Sequence, residues 1–418
     1  MIKHLPDWVK NLLLVFASLL IITGVLEISS AILLRYFNRV PYNTYLVHDP
    51  TLGWKLAPNL WLRIRSHAKH FDFECKINSA GFREDDQGML DPQDCDVVII
   101  GDSHVFGYGL VAEETLANQL ARILSVGRAP VKVLNAGVPG YGIDQFYLRL
   151  MDVGPLKAGT RVIIVIHARN DCVNTCNDVD YRAYKPEARI RQDSVAFSEI
   201  PYANPRCEFH FASQFDRLNR VFKLKAPGKP SWLDRLTLKS DLIYFLGNFR
   251  RLTIAKLPEQ AQEVVWDRKT PEEYTQFRLQ KVQHNPLSLT MRMWPEIKQF
   301  DAERQRMIEL VGFLLKEIDE YVSSMQCKLI IVVAPDAARL QASYKILTDT
   351  LQANLSYYQF DWGWTERALC QKLMELKIPS IQPQYPAGDL ESMFVPLDGH
   401  TSGKAFGLIA RRIAEDRF

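Results

Sequence analysis

The chain reads as an α/β protein: a parallel β-sheet clad in helices, preceded by an apolar helix long enough to cross a bilayer. Three observations predict this. The 23-residue run from Leu12 to Leu34 carries one charge, Glu27. From Asp96 onward, short apolar runs alternate with stretches of helical periodicity. Most of those runs are apolar at consecutive positions, the pattern of strands buried on both faces of a parallel sheet.

Composition sets the outer limits. The chain has 418 residues and 47% hydrophobic content, enough for one large domain or two ordinary ones. With 51 basic and 48 acidic residues the net charge is +3, and no basic run is interleaved with aromatics, so nucleic acid is not an expected partner. The seven cysteines (75, 95, 172, 176, 207, 327 and 370) are odd in number and widely spread. No second cysteine pair or histidine pair stands at zinc-finger spacing from Cys172 and Cys176, so neither a metal nor another cofactor is expected. A Cys172–Cys176 disulfide would require an oxidising compartment.

At about 1.5 Å per residue, a helix from Leu12 to Leu34 matches a hydrocarbon thickness of about 30 Å. Its charge-free part, Leu12 to Leu26, also has the form of a signal-peptide core, with Ser29-Ser30-Ala31 as a small-x-small cleavage site. Apolar residues resume at Ile32 to Leu34, which favours an uncleaved anchor over residues 1–40. Either reading exports the rest of the chain, so the expectation is a single-pass cell-membrane protein with a periplasmic or extracytoplasmic domain. Lys3 and Lys10 on one side balance Arg35 and Arg39 on the other, so charge does not fix the orientation.

Residues 41–93 are polar, aromatic and turn-rich. Asp49-Pro50, Leu52-Gly53-Trp54 and Asn78-Ser79-Ala80-Gly81-Phe82-Arg83 read as extended pieces joined by turns, a lead-in subdomain. The main domain, residues 94–418, then opens with the strand Val97-Val98-Ile99-Ile100, a glycine-rich loop, and a helix carrying Leu116, Leu120, Ile123 and Leu124 on one face. Val131 to Leu134 repeats the strand, with a helix from about Ile143, and Val162 to Ile166 gives a third. A long amphipathic helix containing Met307, Val311, Leu314, Leu315 and Ile318 leads into a fourth strand, Leu329 to Ala334, ended by Pro335. Another helix, around Trp364 to Leu376, precedes a weaker strand near Ile378 to Ile381. Residues 174–300 break the rhythm. They carry much Pro, Arg and Lys and an apolar-aromatic patch at Leu242 to Phe249, and read as an insertion beside the sheet.

Ligands of parallel sheets bind beyond the carboxyl ends of the strands, which directs attention to the loops after Ile100, Leu134 and Ile166. The first reads Gly101-Asp102-Ser103-His104, with Gly107 and Gly109 behind it. A serine there is exposed at the sheet edge, among backbone N–H groups able to stabilise an oxyanion. The second reads Asn135-Ala136-Gly137-Val138-Pro139-Gly140-Tyr141-Gly142, where glycine lets an amide approach a reacting carbonyl. The third, Ala168-Arg169-Asn170-Asp171, supplies a side-chain amide. Near the carboxyl terminus Asp398-Gly399-His400 offers a base and a carboxylate to orient it, ahead of a helical run from Ser402 to Ile413. His104, next to the serine, is a rival base on paper, but an i+1 side chain points away from its neighbour.

In these four blocks and their order the chain resembles the SGNH/GDSL hydrolases. The resemblance covers roughly Asp96 to Asp171 and Lys328 to the end, and the lead-in with Gly81-Phe82-Arg83 resembles exported bacterial members that begin with a membrane helix. It implies a three-layer, flavodoxin-like fold without bound nucleotide. It further implies Ser103 as nucleophile, His400 with Asp398 completing a triad, and an oxyanion hole from the Ser103 amide, Gly140 and Asn170. Two departures stand out. One residue separates Asp398 from His400 where two are usual, a shorter form also found in some polysaccharide O-acetyltransferases, and Ala168 with Arg169 precedes Asn170 where glycine is usual two residues before.

The expected reaction is attack of Ser103 on an acyl ester of a carbohydrate or lipid. Water as acceptor makes an esterase, and a sugar hydroxyl makes an O-acyltransferase served by membrane partner proteins. A catalytically silent envelope scaffold is the alternative from another class. A nucleotide-binding sheet does not fit, because no G-x-G-x-x-G opens the first helix and Glu113 and Glu114 would repel a pyrophosphate.

Overall fold

A helix that is apolar on every side has no face to present to water, and the first element is of this kind. It spans Asp7–Tyr36, and its stretch Asp7–Ser30 is exposed along most of its length and long and apolar enough to cross a membrane, as a signal sequence can also be. The computed structural model describes residues 6–36, 45–66, 69, 71–84, 86–176, 179–180, 183–186, 188–191, 194–198, 262–267, 269–284, 293–336 and 342–416. The Leu242 to Phe249 patch lies outside them.

The lead-in forms antiparallel strands. Leu46–Asp49 pairs with Gly53–Leu56, and Leu60–Ser66 pairs with Phe71–Ile77 in unbroken register from Leu60 opposite Ile77 to Ser66 opposite Phe71. Burial alternates along the second pair: Phe71, Phe73, Cys75 and Ile77 point into the core while Asp72, Glu74 and Lys76 face solvent. That is the signature of a sheet with one wet face. The insertion does not stay beside the parallel sheet. Its strand Gln262–Asp267 returns to pair in parallel with Leu60–Ser66, so the lead-in sheet is completed by residues some 200 positions away.

The main sheet has five parallel strands, β1 (Val97–Ile100), β2 (Val133–Asn135), β3 (Arg161–Ile166), β4 (Lys328–Val333) and β5 (Ser380–Ile381), in the spatial order 2-1-3-4-5. Every residue of β1 and all but the first of β3 are buried. Each such aliphatic side chain contributes about 1.5–3 kcal/mol of burial. Helices Leu116–Leu124 and Gly403–Glu415 pack on each other, while Ile143–Val153, Ala168–Cys176, Asp301–Ser324 and Trp364–Leu376 form a second group. A hairpin of Ala188–Arg191 and Ser194–Phe197 leans on Asp301–Ser324.

The order 2-1-3-4-5 reverses direction between β1 and β3, and the crevice at such a reversal is where open α/β sheets bind ligands. Ile100 lies opposite Ile164, so β3 runs two residues past the end of β1 and raises His167 and the following helix above the β1 loop.

Candidate active site

The site begins with a turn. Asp102 leaves β1 in a conformation outside the common basins (φ −91°, ψ −147°), and its carboxylate accepts the His104 N–H at 2.9 Å, capping the four-residue helix Ser103–Phe106. Gly107 closes that helix with φ +82°, a left-handed position that favours glycine. The β2 loop is stitched to this turn: Asn135 Nδ2 donates to the Val105 carbonyl at 3.0 Å and the Val138 N–H to the Gly101 carbonyl at 3.0 Å. A methyl group on Gly137 would stand 2.4 Å from the Phe106 nitrogen, so only glycine permits this approach.

Across the turn, residues 395–400 make a tight loop. The Val395 N–H donates to the His400 carbonyl at 2.7 Å, and Leu397 (φ +56°) and Gly399 (φ +85°) both take left-handed conformations. The bend at Gly399 lets side chains two residues apart meet, so the short Asp398-Gly399-His400 spacing brings the Asp398 Oδ2 onto His400 Nδ1. His400 Nε2 lies 2.8 Å from Ser103 Oγ. Nucleophile, base and carboxylate therefore form one hydrogen-bonded line. The His400 side chain is 21% exposed and that of Asp398 3%, so solvent reaches the imidazole but not the carboxylate.

Lys69, in the turn between lead-in strands Leu60–Ser66 and Phe71–Ile77, reaches the other oxygen of Asp398 with its ammonium. Sequence reasoning missed it, because a lysine in a polar turn carries no local signal. Burial alone would raise the Asp398 carboxyl, but Lys69 and His400 outweigh it and hold it well below the ordinary carboxylate range.

A second buried group lies beneath Ser103. Asn170 Nδ2 donates to Asp102 Oδ2 at 2.7 Å and to Asp171 Oδ1 at 3.1 Å, while Asp171 Oδ2 accepts the His167 N–H at 2.8 Å. Burial and then the neighbouring Asp102 push the Asp171 carboxyl well above its usual range. Both Asn170 amide protons face carboxylates. The expected oxyanion donors thus differ: the Asn170 amide is engaged, whereas the Ser103 and Gly140 main-chain N–H groups donate to no described residue. Gly140 is buried with φ +81°.

His104 does not turn away from the site as the i+1 argument expects. Its ring stacks on His167 at 3.4 Å between centroids and lies 4.6 Å from His400. Its Nδ1 accepts the Thr401 N–H at 3.1 Å, so the neutral ring carries its proton on Nε2. Thr401 Oγ1 lies 2.9 Å from that Nδ1 and 3.1 Å from His167 Nε2, linking the two rings. Burial first, and then a neighbouring imidazole (His400 for His104, His104 for His167), press both rings well below the usual histidine range, so both are neutral at pH 7. Asp102, His104 and His167 offer ligand atoms within 4.8 Å of one another. Both Asp102 oxygens and the His104 Nδ1 already accept hydrogen bonds, while His167 Nδ1 is buried with no hydrogen-bond partner among the described residues, 4.0 Å from Asp102 Oδ1. His167 directly follows β3, where the rule of strand carboxyl ends could have found it.

The remaining candidates settle into structural roles. Arg169 forms a two-pronged pair with Asp336, at 2.7 and 3.1 Å. Cys172 and Cys176 are free thiols. Three lead-in contacts brace the site from outside: Trp54 Nε1 donates to the Pro139 carbonyl at 2.9 Å, and Arg83 holds the carbonyls of Phe106, Gly107 and Leu110 at 2.7–2.9 Å. Lys69 is the third.

Comparison with protein-family models gives no match for this chain, and comparison with curated proteins finds no relative.

Proposed function

We propose that the protein is a serine ester hydrolase of the SGNH type, acting on acyl esters of envelope carbohydrate or lipid beside the membrane its first helix enters. The observation that carries this reading is the 2.8 Å contact between Ser103 Oγ and His400 Nε2, with Asp398 on the far nitrogen. The 2-1-3-4-5 sheet and the placement of Ser103 beyond β1 support it.

In the proposed cycle His400 Nε2 takes the Ser103 proton as Oγ bonds the acyl carbon. The unengaged amides of Ser103 and Gly140 are the donors available to the oxyanion. The tetrahedral adduct collapses, the alcohol leaves with the proton from His400, and the acyl group stays on Ser103. Water, deprotonated by the same imidazole, then releases the carboxylic acid. Asp398 fixes the His400 tautomer and steadies the imidazolium. A sugar hydroxyl in place of water would make the same acyl-enzyme a transferase.

The test is covalent labelling of the full chain by a fluorophosphonate. Wild type is expected to label at one serine and Ser103→Ala not at all, with release of p-nitrophenol from p-nitrophenyl acetate falling at least about 10⁴-fold. A folded wild type that neither labels nor hydrolyses the ester would end the hydrolase reading.

A further inference from the structure

Each oxygen of Asp398 has a charged or ring partner among the described residues. His400 Nδ1 takes one, and the other belongs to Lys69, which comes from a different sheet 329 positions earlier in the chain. Both charged side chains are nearly shut off from water, 11% exposed for Lys69 and 3% for Asp398. A surface ion pair would contribute little, but a desolvated one is held in place because separating it strands a buried charge. Nor is the lysine a lone strut. The Tyr274 ring of the insertion helix Pro271–His284 lies 5.7 Å from its ammonium, and Arg278 of that helix donates to the Leu397 carbonyl, beside Asp398, at 3.0 Å.

We propose that Lys69 is a positioning residue of the reaction: it fixes Asp398 as an ionised acceptor aimed at His400, and so makes the lead-in sheet a working part of the active site. The proposal rests on the hydrolase reading for its catalytic meaning, though the contact can be tested without it. The groups around His400 are Asp398 on its own loop, Ser103, His104 and Tyr108 from the nucleophile segment, His167 beyond His104, and Lys69 beyond Asp398, with Tyr45 also near that carboxylate. Among these Lys69 is the permanent cation in contact with Asp398. It occupies one carboxylate oxygen and leaves the other directed at His400 Nδ1.

The experiment follows the His400 Nδ1 proton by 1H NMR in the full chain in detergent micelles, with the signal assigned by its loss in His400→Gln. It is run on wild type, Lys69→Met and Lys69→Arg, alongside kcat and KM for p-nitrophenyl acetate. Lys69→Met is expected to abolish the downfield Nδ1–H signal and to lower kcat about tenfold with KM little changed. Lys69→Arg, which keeps the charge, is expected to restore both. A folded Lys69→Met whose Nδ1–H signal and kcat match wild type would overturn the proposal. If Lys69→Met does not fold, a Lys69→Arg with the wild-type signal and kcat supports the charge role, and a folded Lys69→Arg that lacks both refutes it. A wild type without esterase activity would sink the hydrolase reading alone, since the Nδ1–H signal would still report whether Lys69 positions Asp398 on His400.

Discussion

Two buried carboxylate sites flank Ser103, and they are kept in opposite ways. On the His400 side, Asp398 is compensated by charge, with a lysine on one oxygen and an imidazole on the other. On the β3 side, Asp102 and Asp171 lie together with no lysine or arginine among their hydrogen-bond partners in the described residues; neutral donors from Asn170, the Ser103 hydroxyl and the His104 and His167 backbones serve them instead. Burial drives a carboxyl toward its neutral form unless a cation intervenes. The first site is accordingly held ionised, whereas Asp171 is pushed toward protonation. One wall compensates a buried charge beside His400, and the other holds the backbone turn at Ser103.

The most severe way to break this contrast is Asp398→Asn, which makes the charged wall resemble the neutral one. The amide cannot steady an imidazolium, invites the wrong His400 tautomer, and leaves Lys69 buried without its counter-charge. A fall in kcat of about 10⁴-fold is expected, with fluorophosphonate labelling slowed in step. Retention of a tenth of the wild-type rate would mean that Asp398 does not work through His400.

Asn170→Ala probes the opposite wall. If Asn170 swings from Asp102 toward a developing oxyanion, kcat falls about 10²- to 10³-fold with KM little changed. If its amide only bridges Asp102 and Asp171, kcat changes far less and the loss appears in thermal stability instead, because two buried carboxylates lose a shared donor. Parallel measurement of kcat, KM and the unfolding midpoint separates the two roles.

How much of this the sequence could reveal depends on the range of the interactions concerned. β3 and β4 were legible to within a residue, as Val162 to Ile166 and Leu329 to Ala334, because a strand buried on both faces must be apolar at successive positions. β2 begins two residues later than its apolar run, since the Lys132 N–H is drawn to Asp96 Oδ2 at 2.9 Å instead of the ladder. Ser103, Asp398 and His400 were legible because each stands at the end of an element, Ser103 in a glycine-rich loop and the other two on either side of Gly399. Lys69 and the insertion strand Gln262–Asp267 were not. Each derives its place from a partner hundreds of residues distant, and neither a lone lysine nor two valines among charges has a local pattern to announce it. His104 was misjudged for a related reason: the argument from its own backbone ignored the Thr401 loop that wraps around it.

The gentlest probe asks whether the neutral wall is neutral at all. Asp171 has its carboxyl raised by burial and by Asp102, so the folded state holds a proton that the unfolded chain, with an ordinary Asp near 3.9, releases. For a raised group the associated stability is complete below the unfolded value and declines as pH climbs through the folded one, because the native state then binds more protons than the unfolded state. Asp171→Asn keeps an oxygen to accept the His167 N–H and has no proton to lose. The variant is therefore expected to gain on wild type steadily from about pH 4 upward, by at most about 1.4 kcal/mol per pH unit, within the window bounded by the raised Asp171 value. Comparing the two proteins at each pH removes the opposing contributions of Asp398, whose stabilisation fades in acid, and of the neutral His104 and His167, which favour unfolding as pH falls below about 6.5. Denaturant midpoints from pH 4 to 8 read the difference directly. A constant offset between the two curves would show that Asp171 carries its charge in the folded protein, and that the two walls beside Ser103 are more alike than their hydrogen bonds suggest.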